Sequence, residues 1–406
     1  MHFRHILAAL GRHRIAVVLL VLEIAFSCAV VCNALFLIGT RLERMHRPTG
    51  VDEAHLVEIE VHSVVPGSPD AVMAQTRTDL AALRAVPGVA AASIVNQTLF
   101  GRSVSFSGVS LSDAAKAPSI TVTQYFGDAD LTRTLGLKLV AGRWFKPDEF
   151  ANAAKKDGST GAPVIITRAL ADHLFPGQQA IGKTIYAFDA NRVVGVVSRL
   201  VQPRDYGAAG DYDYAMLFPF EVPYPQGTYL LRVDDPSERQ AVIRRALHAL
   251  KTDGPLRLVS PKYATTLEAA RAKYYRDDRA MAWLLVGVCL LLLVVTAVGI
   301  VGLTSFWVAQ RRRQIGIRRA IGATRGDILA YFQAENFLIA TFGIVLGMAL
   351  AYGINLLLML HYELPRLPLY YLPAGAVALW AIGQLAVLGP ALRAAKVPPV
   401  VATRSV

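Results

Sequence analysis

A chain of 406 residues that is 54% hydrophobic and only 18% charged is too apolar for an ordinary soluble protein of its size. Its formal net charge of +12 is not a nucleic-acid footprint, because the basic residues gather at the ends of long apolar runs. The three cysteines, Cys28, Cys32 and Cys289, fall inside those runs, so the remainder of the chain has no thiol from which to build a disulfide.

The first run, Ile15–Ile38, follows a basic stretch at residues 1–14 and reads as a transmembrane helix, a span that takes about 20 apolar residues. It exceeds the apolar core of a signal peptide, continues past Cys28 and lacks a clean small-residue cleavage site. Glu23 sits within it at a cost of roughly 2.5 to 3.5 kcal/mol if placed mid-bilayer, which a run this apolar absorbs. An interhelical polar contact is the role read for it.

Residues 39–279 then form one inserted extracytoplasmic domain in which short β-rich runs alternate with amphipathic helical ones. Strands are predicted at 57–65, 90–95, 164–167, 183–187, 192–197, 214–219, 228–233 and 257–259. Helices are predicted at 74–86, 168–175, 237–251 and 263–279, with Pro-Gly pairs as punctuation. The fold class that follows is an α-helical membrane protein of four transmembrane helices with an inserted α+β, two-lobed extracytoplasmic domain. No Gly or Pro interrupts residues 263–286, so the last helix of the domain is expected to continue unbroken into the second transmembrane helix.

Gly177-Gln-Gln-Ala-Ile-Gly182-Lys183-Thr184 matches the phosphate-loop pattern letter for letter. A phosphate loop follows a strand and opens a helix, whereas this stretch follows a predicted helix and enters a predicted strand, so it reads as a surface turn. Asp205, Asp211 and Asp213 lie in a Gly- and Tyr-rich loop read as solvated, and His173 as an exposed helix residue. No metalloprotease, nucleophile-elbow or calcium-loop spacing occurs, so the chain itself is expected to be no enzyme and to need no cofactor.

The second transmembrane helix is predicted at 280–308, the third at 328–360 and the fourth at 369–392, joined by a loop at 309–327 and a short one at 361–368. The first of these loops carries six arginines against one aspartate and therefore lies inside, which by parity puts the amino terminus and the tail 393–406 in the cytoplasm. Within it Ile317 and Ile321 share a helical face beside Arg318 and Arg319, an apolar ridge edged with positive charge. Thr324 and Asp327 form a capping box for the next helix, and Gly322 and Gly326 allow a bend. Gly343 and Gly347 give the third helix a face for close packing, within the subunit or across a dimer. Glu335, about two turns past Asp327, is read as structural.

The run Ile315-Gly316-Ile317-Arg318-Arg319-Ala320-Ile321-Gly322-Ala323, followed by Asp327-Ile328-Leu329, Phe332 and Glu335, resembles the MacB/FtsX-type permeases of ABC transporters. The ending Pro390-Ala-Leu-Arg393-Ala394-Ala395 is similar to theirs as well. Leu135–Phe145, Ala169–Gly177, Ile181–Lys183 and Val193–Val197 look like the MacB-type periplasmic core. The chain departs from the pattern at Gln310 and Gln314, where the family carries acids, and has no fused ATPase domain.

The resemblance implies a permease subunit in the bacterial inner membrane, with membrane lipid around it and no nucleic-acid partner. It implies a separate cytoplasmic ABC ATPase touching Ile317, Arg318, Arg319, Ala320, Ile321, Gly322, Ala323, Thr324 and Asp327. It further implies a homodimer or a heterodimer with a second permease, a periplasmic adaptor, an outer-membrane channel, and efflux of an antibiotic, peptide or toxin by mechanotransmission. The alternatives are an FtsX-like transducer that controls a periplasmic hydrolase and a lipoprotein-releasing permease.

Overall fold

A computed structural model describes residues 14–64, 67–114, 119–152, 162–205, 211–252, 257–362 and 366–397. The helices among them are α1 (Arg14–His46), α2 (Pro69–Arg84), α3 (Leu131–Leu135), α4 (Arg168–Leu174), α5 (Arg239–Thr252), α6 (Leu267–Tyr274), α7 (Arg276–Gln310), α8 (Arg312–Ala320), α9 (Arg325–Tyr362) and α10 (Tyr371–Ala395). The chain divides into two compact units, one made of residues 1–46 with 277–406 and the other of residues 47–276.

In the first unit α1, α7, α9 and α10 are long and apolar enough to cross a membrane. Helix α1 runs eight residues past the predicted end at Ile38, to His46. Arg41, near that end, pairs with Asp278 at the start of α7, so the positive charge there is answered within the unit. Helices α1, α9 and α10 pack closely. A Cβ on Gly343 would lie 2.8 Å from the Ile24 Cβ, and one on Gly347 would lie 2.5 Å from the Cys28 Cβ, so these two glycines of α9 admit α1 inside the subunit.

Polar links reinforce the bundle. Asn33 Nδ2 donates to the Ala351 carbonyl oxygen at 3.2 Å, Asn336 Nδ2 to the Gly383 carbonyl oxygen at 3.0 Å, and the Ser27 and Thr296 hydroxyls bond at 2.9 Å. Helix α7 by contrast leaves Trp283, Leu284, Leu290, Leu291 and Val298 exposed.

Among the described residues the second unit holds two large sheets and two two-stranded pairs, Phe220–Glu221 with Ala151–Asn152 and Arg257–Leu258 with His62–Ser63. One large sheet has four antiparallel strands in the order Ala264–Thr266, Leu56–Glu60, Thr228–Val233, Val89–Val95. Helices α2 and α5 cover one face of it. Helix α2 starts where Ser68 accepts from the Ala71 amide at 3.3 Å with Pro69 in the first turn, and it buries Met73, Thr76, Leu80 and Leu83. Helix α5 buries Val242, Ile243, Ala246, Leu247 and Leu250 against Val57, Ile59, Tyr229 and Leu231.

The other sheet is mixed, in the order Phe106–Val109, Ile120–Phe126, Ala215–Phe218, Ala162–Thr167, Asp189–Val197, Leu139–Gly142, with Thr184–Ala187 paired to Asp189–Val197. Helix α4 packs on it through Leu170, Ala171 and Leu174. The phosphate-loop look-alike leads from α4 into the strand Thr184–Ala187, and Lys183 lies over the Phe175 ring at 4.6 Å. Asp205 and Asp213 pair with Arg47 (3.7 Å) and Arg199 (3.4 Å), and residues 206–210 of that loop lie outside the described residues.

One expectation is overturned. Residues 263–286 are not a single helix: Ala264–Thr266 is an edge strand, Thr266 caps α6 by accepting from the Ala269 amide at 3.2 Å, and Tyr275 leaves helical geometry before α7 begins. The Tyr274 and Tyr275 rings pack on Phe100 at 5.6 and 5.9 Å, a contact that draws the chain off the helical path without any Gly or Pro.

Glu58, in the strand Leu56–Glu60, is partly buried beside Thr98, with Oε2 unpartnered among the described residues, and desolvation pushes its pKa up to about 7. Asp128 is pushed up to about 6, also by burial. A carboxyl whose folded pKa is raised keeps its proton in the folded state after the unfolded chain has lost it, so stability falls as pH rises through the window from about 4.5 to about 7. Glu58→Gln should therefore raise the melting temperature of the detergent-solubilised chain by roughly 2 to 4 °C at pH 8 and change it little at pH 4.5. Thermal unfolding at the two pH values checks this, and equal shifts at both would refute the assignment.

Candidate functional site

Helix α7 stops at Gln310 because Arg311 adopts φ −98°, ψ 11° and turns the chain into α8. One face of α8 is anchored. Ile315 is buried with Trp307 and Val308 of α7, Ile328 and Phe332 of α9, and Ala394, Ala395 and Val397 at the end of α10. The helix closes in a Schellman motif: the Ala323 amide donates to the Arg318 carbonyl oxygen at 3.0 Å and the Gly322 amide to that of Arg319 at 3.2 Å. Gly322 takes φ +107°, the left-handed geometry the motif requires.

Helix α9 then starts on a reciprocal box. The Thr324 amide donates to Asp327 Oδ2 at 2.8 Å, and the Asp327 amide donates to the Thr324 hydroxyl at 3.2 Å. Gly326 lies inside the first turn of α9 with no left-handed backbone, so the bend belongs to Gly322 alone.

The arginines divide by what they touch. Arg311 Nη1 donates to both carboxylate oxygens of Glu335 at 3.1 Å, with the acid only 1% exposed. Glu335 thus points into the bundle and not toward lipid headgroups. Arg319 Nη1 donates to the Ala395 and Val397 carbonyl oxygens at 3.0 and 2.9 Å, satisfying the end of α10 where a cation also meets the helix dipole. Arg318 lies over the Tyr331 ring at 5.0 Å.

Turned outward are Ile317, 42% exposed, and Ile321, 81% exposed, one helical turn apart, with Ala320 between them. Gln310 and Gln314 are exposed too. Sequence reasoning missed Arg311 and Ile315. Arg311 stands one turn beyond Trp307, over whose ring it lies at 5.8 Å, and an acid buried within an apolar run was the signal that a cation had to be sought nearby.

Glu23 sits apart from this group. It is half-buried on α1, its Oε2 would lie 2.7 Å from a Cβ on Gly299 of α7, and the Ser27–Thr296 hydrogen bond is one turn further along. Among the described residues no group of three metal-ligating side chains is assembled.

Comparison with known proteins places this arrangement. A family described as FtsX-like permease C-terminal matches residues 286–399, which include all of α8, and one described as MacB-like periplasmic core domain matches residues 18–249, more than half of the chain. The chain belongs to the MacB/FtsX family of ABC transporter permeases.

It is 27% identical over 282 residues to the macrolide export ATP-binding/permease protein MacB of Chromobacterium violaceum, covering 67% of this chain and 41% of that protein. The chain thus spans well under half the length of that relative. To YvrN of Bacillus subtilis, an uncharacterized ABC transporter permease, it is 26% identical over 301 residues, which cover 70% of this chain and 71% of that one. The periplasmic region of MacB from Actinobacillus actinomycetemcomitans is similar over 57% of this chain and 97% of that one at 14% identity, with a TM-score, 0.33, too low to carry the fold assignment. A membrane protein with an inserted periplasmic-type domain is what family and fold agree on.

Because the Arg311–Glu335 pair is buried, removing one partner strands the other's charge, a loss of about 3 to 5 kcal/mol. Glu335→Met should lower the unfolding temperature of the purified chain sharply, and the double variant Arg311→Met/Glu335→Met should recover most of it. Additive losses in the double-mutant cycle would show the two residues act independently.

Proposed function

We propose that the chain is the permease subunit of an ABC transporter in a bacterial inner membrane, and that the ATP is hydrolysed by a separate ABC ATPase. On this reading α8 lies on the cytoplasmic side, as do both termini, and residues 47–276 lie outside. The observation that carries the reading is the division of labour in α8: Ile315, Arg311 and Arg319 hold the helix to the bundle while Ile317 and Ile321 stand exposed. Exposed isoleucines on a firmly held helix cost solvation and contribute nothing to the fold, which is expected of a contact made with another protein.

Four spanning helices are few for a transporter, so the working unit is a dimer, of two copies or with a second permease. The task of the assembly is efflux by mechanotransmission: the exported domains close on a substrate and drive it toward a periplasmic adaptor and an outer-membrane channel. This draws on the similarity to MacB, a macrolide export protein.

Co-purification from native membranes tests the reading. An ATPase subunit together with an adaptor supports efflux. A cell-wall hydrolase in place of the adaptor assigns an FtsX-like transducer, and recovery without any ATPase overturns the proposal. Within a recovered complex, Ile317→Glu and Ile321→Glu should each reduce permease-dependent ATP turnover about tenfold or more without lowering the unfolding temperature of the purified chain. Unchanged turnover would remove α8 as the contact.

A further inference from the structure

Between α2 and α5, on the surface turned away from the four-stranded sheet, runs a groove of about 450 Å³. Its apolar floor and one wall come from Ala82, Ala85, Val86 and Pro87 at the end of α2 and the residues after it, with Ala249 of α5 opposite. The small side chains of α2 continue beyond the groove in the exposed Ala81, Thr78 and Ala74, so a rod laid here could approach the α2 backbone closely.

The other wall is basic. Arg244 and His248 line it, and Lys251, beyond the groove, continues their row along α5 at i, i+4, i+7, with all three exposed. Among the described residues none of these three side chains has a hydrogen-bond, ion-pair or ring partner. Their neighbour Arg245 differs, since Glu238 answers it at 2.8 Å. The Glu238–Arg245 pair sits beside Gly88, while Arg244 at the groove and Lys251 beyond it carry positive charge unanswered among the described residues.

We propose that this groove is the docking site for an acidic amphipathic helix of a protein partner. The fit has two parts. Two parallel-sided helices leave a channel of the width a third helix fills, and a short apolar ridge on that helix would cover the alanine floor. Carboxylates one turn apart beside the ridge would meet Arg244, His248 and Lys251 in register, a complementarity that favours this partner over a basic or uncharged one. The proposal rests on the exported location of the domain only for where the partner is found. Binding to the purified chain succeeds or fails independently of whether an ATPase co-purifies.

The test uses the full chain in detergent and a fluorescein-labelled helical peptide with leucine and alanine on one face and glutamates at i, i+4 and i+7 beside them. A second peptide carries lysines in place of the glutamates. Fluorescence anisotropy should show binding of the acidic peptide alone. Arg244→Glu with Lys251→Glu should weaken it by about tenfold, and Lys138→Glu, a reversal at an exposed residue just before the strand Leu139–Gly142, should leave it unchanged. Ala85→Trp should abolish binding by filling the groove while the unfolding temperature is retained.

Absence of acidic-peptide binding, equal binding of the two peptides, or indifference to Arg244→Glu/Lys251→Glu would each overturn the proposal. Binding of phosphatidylglycerol vesicles that the same double variant abolishes, with no peptide bound, would reassign the face to a lipid surface.

Discussion

Everything about the loop between α7 and α9 depends on a buried ion pair. Glu335 is held almost wholly out of solvent inside a run that otherwise contains no charge from Asn336 to Leu360, and Arg311 answers it with two bonds of 3.1 Å. An unpaired charge there would be intolerable, so the residue carrying the cation must lie where α7 ends, beside Glu335 on α9. That requirement ends α7 at Gln310, places α8 against α9 and α10, and leaves Ile315 to seal the junction. Arg319 makes the same arrangement from the other side by satisfying the last carbonyls of α10.

The rest of the bundle is governed by close approach. Gly343 and Gly347 bring α9 against Val21, Ile24, Ala25 and Cys28 of α1, which commits that glycine face to the subunit's own fold and removes it as a surface for a second copy. Helix α7 meets α1 at Thr296 and Gly299 but keeps Trp283, Leu290, Leu291 and Val298 outward. Within a membrane such a surface is at ease against lipid, so its exposure is no defect of packing.

Much of this was legible in the sequence because the membrane restricts what a chain can do there: long uncharged runs have to be helices, and their ends are marked by arginine. Four spanning helices, the strands around Val164, Arg192 and Thr228, and the Thr324–Asp327 box could be read directly. The strand Ile120–Phe126 carried an alternating β-branched pattern that was there to be found, whereas Phe106–Val109 and Leu139–Gly142 are too short and too exposed to announce themselves. The break at Tyr275 was illegible for another reason. It arises from a tertiary contact with Phe100, and local propensity says nothing about a residue so distant in the chain. Arg311 was hidden likewise, as one of six arginines that look alike until the partner of each is known.

Sorting those arginines also changes the meaning of Gln310 and Gln314. Had either position supported the loop internally, an amide in place of an acid would weaken the hold on α8. Both are exposed, while the bonds that anchor the helix run through Arg311, Arg319 and Ile315. A carboxylate at either position would face outward next to Arg312 and Arg313, which are themselves exposed. The exchange of acid for amide therefore leaves the placement of α8 intact and makes its outer surface more positive. It alters the outer face of the loop and leaves untouched how the loop is held.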